Sequence, residues 1–380
     1  MKIIIVGAGP VGCYVAQLLT RMGYNPILLE EHSRLGKPVQ CAGIVSTKLL
    51  PKTKPFISEE AIINRINGFS INSPWVEEFS INIPGIACII NREIFDINMG
   101  KDLDIRLDKH VSYIEKENNH YRINTGQGET FKADILIGAD GPDSIVRNYM
   151  IDNYSKNNNN INSKINYYFG MQYQIQVYEN YTKLSDDLIQ VFFDNNIPFF
   201  LWIIPESKER LRVGVVAENA KNILDKFIKS KNIKGEIVDV IAGKIPMGFI
   251  PTYYNNIALV GDAACQLKPL TGGGLSYGIQ SARVLADCIH EERLYEYDQR
   301  WKRKFGKEIQ FGLKARNIYE NLDSKQRWKI FSLFKKNSDF IEKVVDFDNH
   351  SKLFKEAFKN PQLLLDAEKL VGYYMEDMLK

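Results

Sequence analysis

The chain has 380 residues, 44% of them apolar and 25% charged, with a formal net charge of +3. These proportions describe an ordinary soluble protein of two or three cooperating domains and exclude disordered, collagen-like and disulfide-scaffold chains. The near balance of charge removes the polycation signal of a nucleic-acid partner, and none is expected. Five cysteines (Cys13, Cys41, Cys88, Cys265 and Cys288) stand apart without C-x-x-C spacing, so no metal site is expected and a reducing compartment fits. The first residues run straight into a strand, with no signal-peptide core, and no run of about 18 apolar residues follows. The expected location is the cytoplasm or a membrane surface.

In chain order, Lys2–Val6 reads as a buried strand, Val11–Met22 as a helix and Ile27–Glu30 as a second strand, together one βαβ unit. The turn between strand and helix is Gly7-Ala8-Gly9-Pro10-Val11-Gly12. There Gly7 permits the tight turn, Gly9 lets backbone approach a pyrophosphate, and Gly12 lets helix and strand pack closely. The helix start offers free amides and the positive end of a dipole to phosphates. Glu30 ends the second strand, where a carboxylate binds a ribose hydroxyl pair and repels a 2′-phosphate. Arg92, in Asn91-Arg92-Glu93-Ile94-Phe95-Asp96, is a planar bidentate donor.

From Val111 the pattern alternates. Val111–Ile114, Tyr121–Asn124 and Thr130–Ala133 form an expected antiparallel meander, after which Ile135–Ile137 returns to a buried strand. Asp152–Ser163, with four consecutive asparagines, reads as a linker. Strands are expected over 167–177, 188–193, 199–204 and 211–216, giving a mainly antiparallel sheet. Ile257–Val260 is another buried strand, and from about residue 293 the pattern is helical. There Tyr297, Trp301, Phe305, Ile309 and Leu313 recur every four residues as an apolar stripe.

Three motifs in this order, the glycine turn, Asp134–Arg147 with Asp140-Gly141, and Ile257–Ala264 with Gly261-Asp262, resemble the FAD-dependent group that includes aromatic hydroxylases and geranylgeranyl reductases. The resemblance covers about residues 1–290. It implies that Asp140 lies near the pyrophosphate, that Asp262 meets the ribityl chain, and that Arg92 approaches the phosphates; Val111 is placed with the cofactor set. Pro269-Leu270-Thr271-Gly272-Gly273-Gly274-Leu275 then opens a helix. Three glycines clear the side chains from where a flat ring would lie, and the helix start would favour the anionic reduced flavin.

Lys37-Pro38-Val39-Gln40-Cys41-Ala42-Gly43 looks like the cysteine loop of geranylgeranyl reductases, which approaches the flavin. Phe200-Leu201-Trp202-Ile203-Ile204-Pro205 is similar to that family's Y-x-W-x-F-P substrate motif, with Phe for Tyr and Ile for Phe. The same segment also resembles the tryptophan box of flavin halogenases. The resemblance to geranylgeranyl reductases implies hydrogenation of C=C bonds in isoprenoid chains, with hydride from reduced flavin and a proton from Cys41, a tyrosine or a water. The implied partners are an isoprenoid lipid and an electron donor, either nicotinamide or a ferredoxin-like protein. The alternatives are an FAD-dependent monooxygenase, a halogenase, and a non-enzymatic flavoprotein.

The expected fold is α/β: a Rossmann-like FAD-binding domain (1–65, 86–150 and 250–292), an inserted antiparallel-sheet substrate domain (66–85 and 160–249) and a C-terminal helical region (293–380). Basic and aromatic clusters at Arg300–Lys304, Arg327–Lys329 and Lys335-Lys336 are candidates for peripheral membrane contact.

Overall fold

A computed structural model describes residues 1–53, 59–157, 164–178 and 185–359. Continuous apolar runs such as Ile3–Val6 and Ile135–Gly138 are buried along their whole length, as strands covered on both faces must be. They sit in a six-stranded sheet in the order Tyr253–Tyr254, Ile257–Leu259, Ile135–Gly138, Ile3–Val6, Ile27–Leu29 and Asp104–Arg106. All neighbours are parallel except the edge pair, where Tyr253 stands opposite Ala258. Helices Pro10–Arg21, Arg92–Gly100 and Leu275–His290 share one core with this sheet, around Ile5, Leu19, Phe95 and Leu285. A second core, around Leu136, Ile114 and Met150, joins the sheet to the expected meander (Val111–Glu117, His120–Thr125, Thr130–Ala133) and to helix Ile145–Asn157.

That helix overturns part of the linker expected from Asp152. It runs to Asn157, and Tyr154 packs edge-on against Tyr254 at 5.2 Å between ring centres. A tertiary contact extends a segment whose polar composition reads as a loop. The rest of that stretch, 158–163, lies outside the described residues.

Eight strands form the second sheet, in the order Gly235–Gly248, Ile165–Val177, Arg210–Val216, Leu201–Ser207, Leu188–Phe192, Ile62–Asn72, Phe79–Ile90 and Ile44–Ser46. It is antiparallel apart from the pairing of Leu188–Phe192 with Ile62–Asn72. The sheet therefore takes in chain on both sides of positions 66 and 85. The C-terminal stripe forms as expected: Tyr297, Trp301 and Ile309 are buried, with Phe305 and Leu313 packed against the same core. The helix carrying it is interrupted by a π-helical turn at Lys302–Gly306. Residues 360–380 of the expected helical region lie outside the described residues. No helix among the described residues is long and apolar enough to cross a membrane.

Candidate functional site

One cavity of about 960 Å³ runs between the parallel sheet and the eight-stranded sheet. Its first end is the glycine turn. Gly7 has φ +96°, and a Cβ there would stand 2.4 Å from the carbonyl oxygen of Ala139, so no other residue fits without moving the neighbouring strand. At Gly9 a Cβ would meet nothing within 4 Å, and Gly9 caps the following helix without any side-chain hydrogen bond. Open space thus faces an uncapped helix start, the arrangement an anion requires. Glu30 carries the turn from the next strand: its Oε2 accepts a hydrogen bond from Ala8 N at 2.8 Å, and Oε1 accepts one from His32 N at 3.1 Å.

Asp140 and Asp262 both line this cavity, and burial raises the pKa of each above the ordinary carboxylate value. They differ in what holds them. Asp140 accepts hydrogen bonds from the Ser144 hydroxyl at 2.5 Å and from Val146 N at 3.2 Å, so it also caps helix Ile145–Asn157. The Asp262 carboxylate takes no hydrogen bond from a described residue, while a Cβ on Gly274 would stand 2.7 Å from its Oδ1. A free carboxylate beside a bare glycine suits a ligand hydroxyl. Arg92 lines the cavity with its guanidinium held bidentately by Asp96, at 3.0 and 2.9 Å. Cys41 stands beside Arg92, its Sγ accepting from Gly43 N at 3.4 Å.

Of the other expected cofactor residues, Pro10, Val11, Ala42, Val111, Gly272, Gly273 and Leu275 line the cavity. Gly12 and Gly43 do not. A Cβ on Gly12 would stand 2.2 Å from Gly7 O, so Gly12 serves the packing of helix on turn; one on Gly43 would stand 2.2 Å from Arg212 Nη1. Phe200 and Trp202 line the cavity, but Pro205 is buried away from it. Side chains alternate along a strand, and Pro205 follows the parity of Leu201 and Ile203, which point into another core.

Two groups of residues at this site were missed in the sequence. Lys268, 4% exposed, lies against the glycine triplet, where a Cβ on Gly273 would stand 3.0 Å from its Cε. Its ammonium donates to Phe347 O at 2.9 Å and to Asp348 Oδ1 at 3.2 Å, over the Phe347 ring. Burial lowers the pKa of this lysine, while Asp348 opposes the shift. A lysine between Leu267 and Pro269, shortly before the glycine triplet, was the available signal. The second group is a buried clamp. Arg212 is paired with Glu206 and donates to Ala42 O at 2.5 Å and to Ile90 O at 3.2 Å. Glu206 in turn accepts from Gln174 Nε2 at 2.7 and 2.9 Å. It ties the large sheet to the Cys41 loop.

The basic clusters are largely engaged. Trp301 and Arg327 are buried, Arg300 pairs with Glu291 and Glu296, and Lys302 pairs with Asp298.

The family model described as FAD binding domain matches residues 96–292, and one described as NAD(P)-binding Rossmann-like domain matches residues 5–42. The chain is 31% identical to Uncharacterized protein MJ1520 of Methanocaldococcus jannaschii, over 94% of this chain and 95% of that one. It is 26% identical to Digeranylgeranylglycerophospholipid reductase 3 of Methanosphaera stadtmanae (84% of this chain, 87% of the relative). It is also 26% identical to Digeranylgeranylglycerophospholipid reductase of Methanosarcina acetivorans, covering 100% and 98%. A geranylgeranyl bacteriochlorophyll reductase-like protein from Thermoplasma acidophilum shares the fold, with a TM-score of 0.75 at 21% identity over 97% of this chain and 99% of that one. The uncapped helix start, the open space at Gly9 and the free Asp262 carboxylate fit FAD, which is the cofactor of this protein. The chain belongs to the FAD-binding domain family, with the digeranylgeranylglycerophospholipid reductases among its relatives.

Proposed function

We propose that this protein reduces C=C bonds of isoprenoid chains carried by ether lipids. The observation that carries the reading is the second half of the cavity. Beyond Cys41 and the glycine triplet it continues between apolar side chains, among them Phe69, Ile71, Ile86, Ile189, Val191 and Trp202, without a break from the dinucleotide end. A wall of that kind holds a ligand by removing apolar surface from water, at roughly 25 cal/mol per Å². The named relatives reduce a lipid of this kind, which supports the same substrate class here.

In this reading Gly7, Gly9, Pro10, Val11, Glu30, Arg92, Val111, Asp140 and Asp262 hold the dinucleotide, with residues 1–65, 86–150 and 250–292 as its domain. Within those ranges the strand residues 44–46, 62–65 and 86–90 are the exception: they belong to the large sheet and, together with residues 66–85 and 160–249, form the substrate domain. Phe200 and Trp202 form the substrate wall. FAD supplies a hydride donor once reduced. The chain's own residues orient the alkene against it, exclude water along the apolar wall, and keep the cation of Lys268 beside the glycine triplet. In this reading Cys41, which lines the cavity beside Arg92, is the thiol that approaches the reacting carbons. Electrons come from a redox partner, a nicotinamide or a ferredoxin-like protein, and the protein works in the cytoplasm or against a membrane surface where its lipid lies.

Anaerobic reduction followed by mixing with a geranylgeranyl ether lipid tests the reading. Flavin reoxidation without O₂, with a saturated product, is the expected result. Reoxidation by O₂ alone with an oxygenated product would replace the reductase by a monooxygenase.

A further inference from the structure

The wall of the cavity contains one ordered row of residues. Across the large sheet, Ile71 stands opposite Val191, Val191 opposite Trp202, Trp202 opposite Gly214, Gly214 opposite Gln172, and Gln172 opposite Ile241. All but Gly214 line the cavity. Gly214 makes room for its neighbour: a Cβ there would stand 2.2 Å from Trp202 Cζ2, so the indole lies across a bare position and reaches the next strand. There Trp202 Nε1 donates to Gln172 Oε1 at 2.8 Å. An indole nitrogen only donates, so this bond fixes the orientation of the amide and makes the remaining atom the NH₂ group. Gln172 is 2% exposed, and its Nε2 has no acceptor among the described residues. A buried amide donor left unmatched is costly, and such groups in folded proteins are matched by a ligand or by water.

The remaining described members of the row are apolar, so along this row the amide of Gln172 is the one unmatched polar donor in a hydrocarbon surface. Its complement is a long apolar molecule with an isolated oxygen, not a polyhydroxylated or ionic one. We propose that Gln172 Nε2 donates a hydrogen bond to the oxygen that links an isoprenoid chain to its head group, and so selects substrate and sets which double bond is presented. The assignment rests on the function proposed above. An acceptor oxygen could also come from a carbonyl of the cofactor, and the two sources separate experimentally.

The experiment compares a geranylgeranyl ether with the hydrocarbon in which CH₂ replaces the oxygen, both titrated against the oxidised holoprotein by intrinsic fluorescence. It includes Gln172→Leu and Gln172→Met, which keep an apolar side chain of similar size at this buried position and cannot donate. The wild type should bind the ether about tenfold to a hundredfold more tightly than the hydrocarbon, the usual discrimination when a buried donor loses its acceptor. Both variants should lose that preference while holding FAD as tightly as the wild type. Equal binding of ether and hydrocarbon by the wild type overturns the inference whether or not the variants fold. A preference that survives in the variants overturns it too. Weakened FAD affinity with an unchanged ether preference gives the donor to the cofactor, against this assignment. If the wild type binds neither molecule and its reduced flavin reacts with neither, the proposed function itself fails, and this inference with it.

Discussion

Replacing Arg212 by alanine should destabilise the protein and loosen the loop that carries Cys41. Arg212 is 5% exposed and Glu206 is 5% exposed, so the substitution leaves a carboxylate in the interior with, among the described residues, Gln174 and, at 4.0 Å, Arg210 as its partners. It also strips donors from Ala42 O and Ile90 O. Removing one partner of a buried ion pair costs about 3–5 kcal/mol. With about 2.1 cal/mol/K of unfolding entropy per residue, a chain of 380 residues has roughly 0.8 kcal/mol/K, so Tm should fall by about 4–6 °C. Differential scanning fluorimetry on flavin-loaded protein measures it. Glu206→Ala should cost a similar amount, and the double variant Arg212→Leu with Glu206→Leu should recover part of the loss, because no unpaired charge remains. Alkylation of Cys41 should accelerate in Arg212→Ala well below its Tm, since the carbonyl next to the cysteine is no longer held. A Tm change under about 1 °C, or a double variant as unstable as the sum of the singles, would refute the clamp.

Lys268→Met should shift the midpoint potential of the bound flavin to a more negative value, because a cation beside the glycine triplet favours the anionic reduced form and its removal leaves Asp348 unpaired; spectroelectrochemistry giving an unchanged or more positive potential would reject this. His350 lines the cavity near Lys268, Asp348 and Asp346, and burial, with the lysine's charge, pushes its imidazole from 6.5 down to about 3. A depressed folded-state pKa means that stability is intact above 6.5 and is lost as pH falls toward about 3. Acid unfolding of His350→Gln should therefore be shallower than that of the wild type over this window, and identical slopes would remove His350 from the account. Gly7→Ala places a methyl group 2.4 Å from Ala139 O at φ +96°, and purified variant should carry little or no FAD; full flavin occupancy would mean that the turn relaxes. Cys41→Ala should alter turnover or the flavin spectrum far more than Cys288→Ala, since Cys41 lines the cavity and Cys288 is fully buried in a helix; equal effects would return Cys41 to an ordinary packing role.

The amino-acid sequence by itself determined the local parts of this protein. The glycine turn is legible because its constraint is local: a positive φ at Gly7 and a strand and helix on either side. The meander, the buried strands and the stripe from Tyr297 to Leu313 are legible because each repeats with the period of its own element. Asp262 and the glycine triplet lie within 13 residues of one another and were read together for the same reason. Only the tertiary structure decided what crosses between elements. Pro205 falls off the cavity because its parity faces the other core, and helix Ile145–Asn157 outlasts its composition because Tyr154 finds Tyr254. Lys268 meets Asp348, Arg212 meets Ala42, and Trp202 meets Gln172 across separations of 80, 170 and 30 residues. No period or motif encodes such pairings. They depend on strand register and on which faces are buried together, and those follow from packing the whole chain.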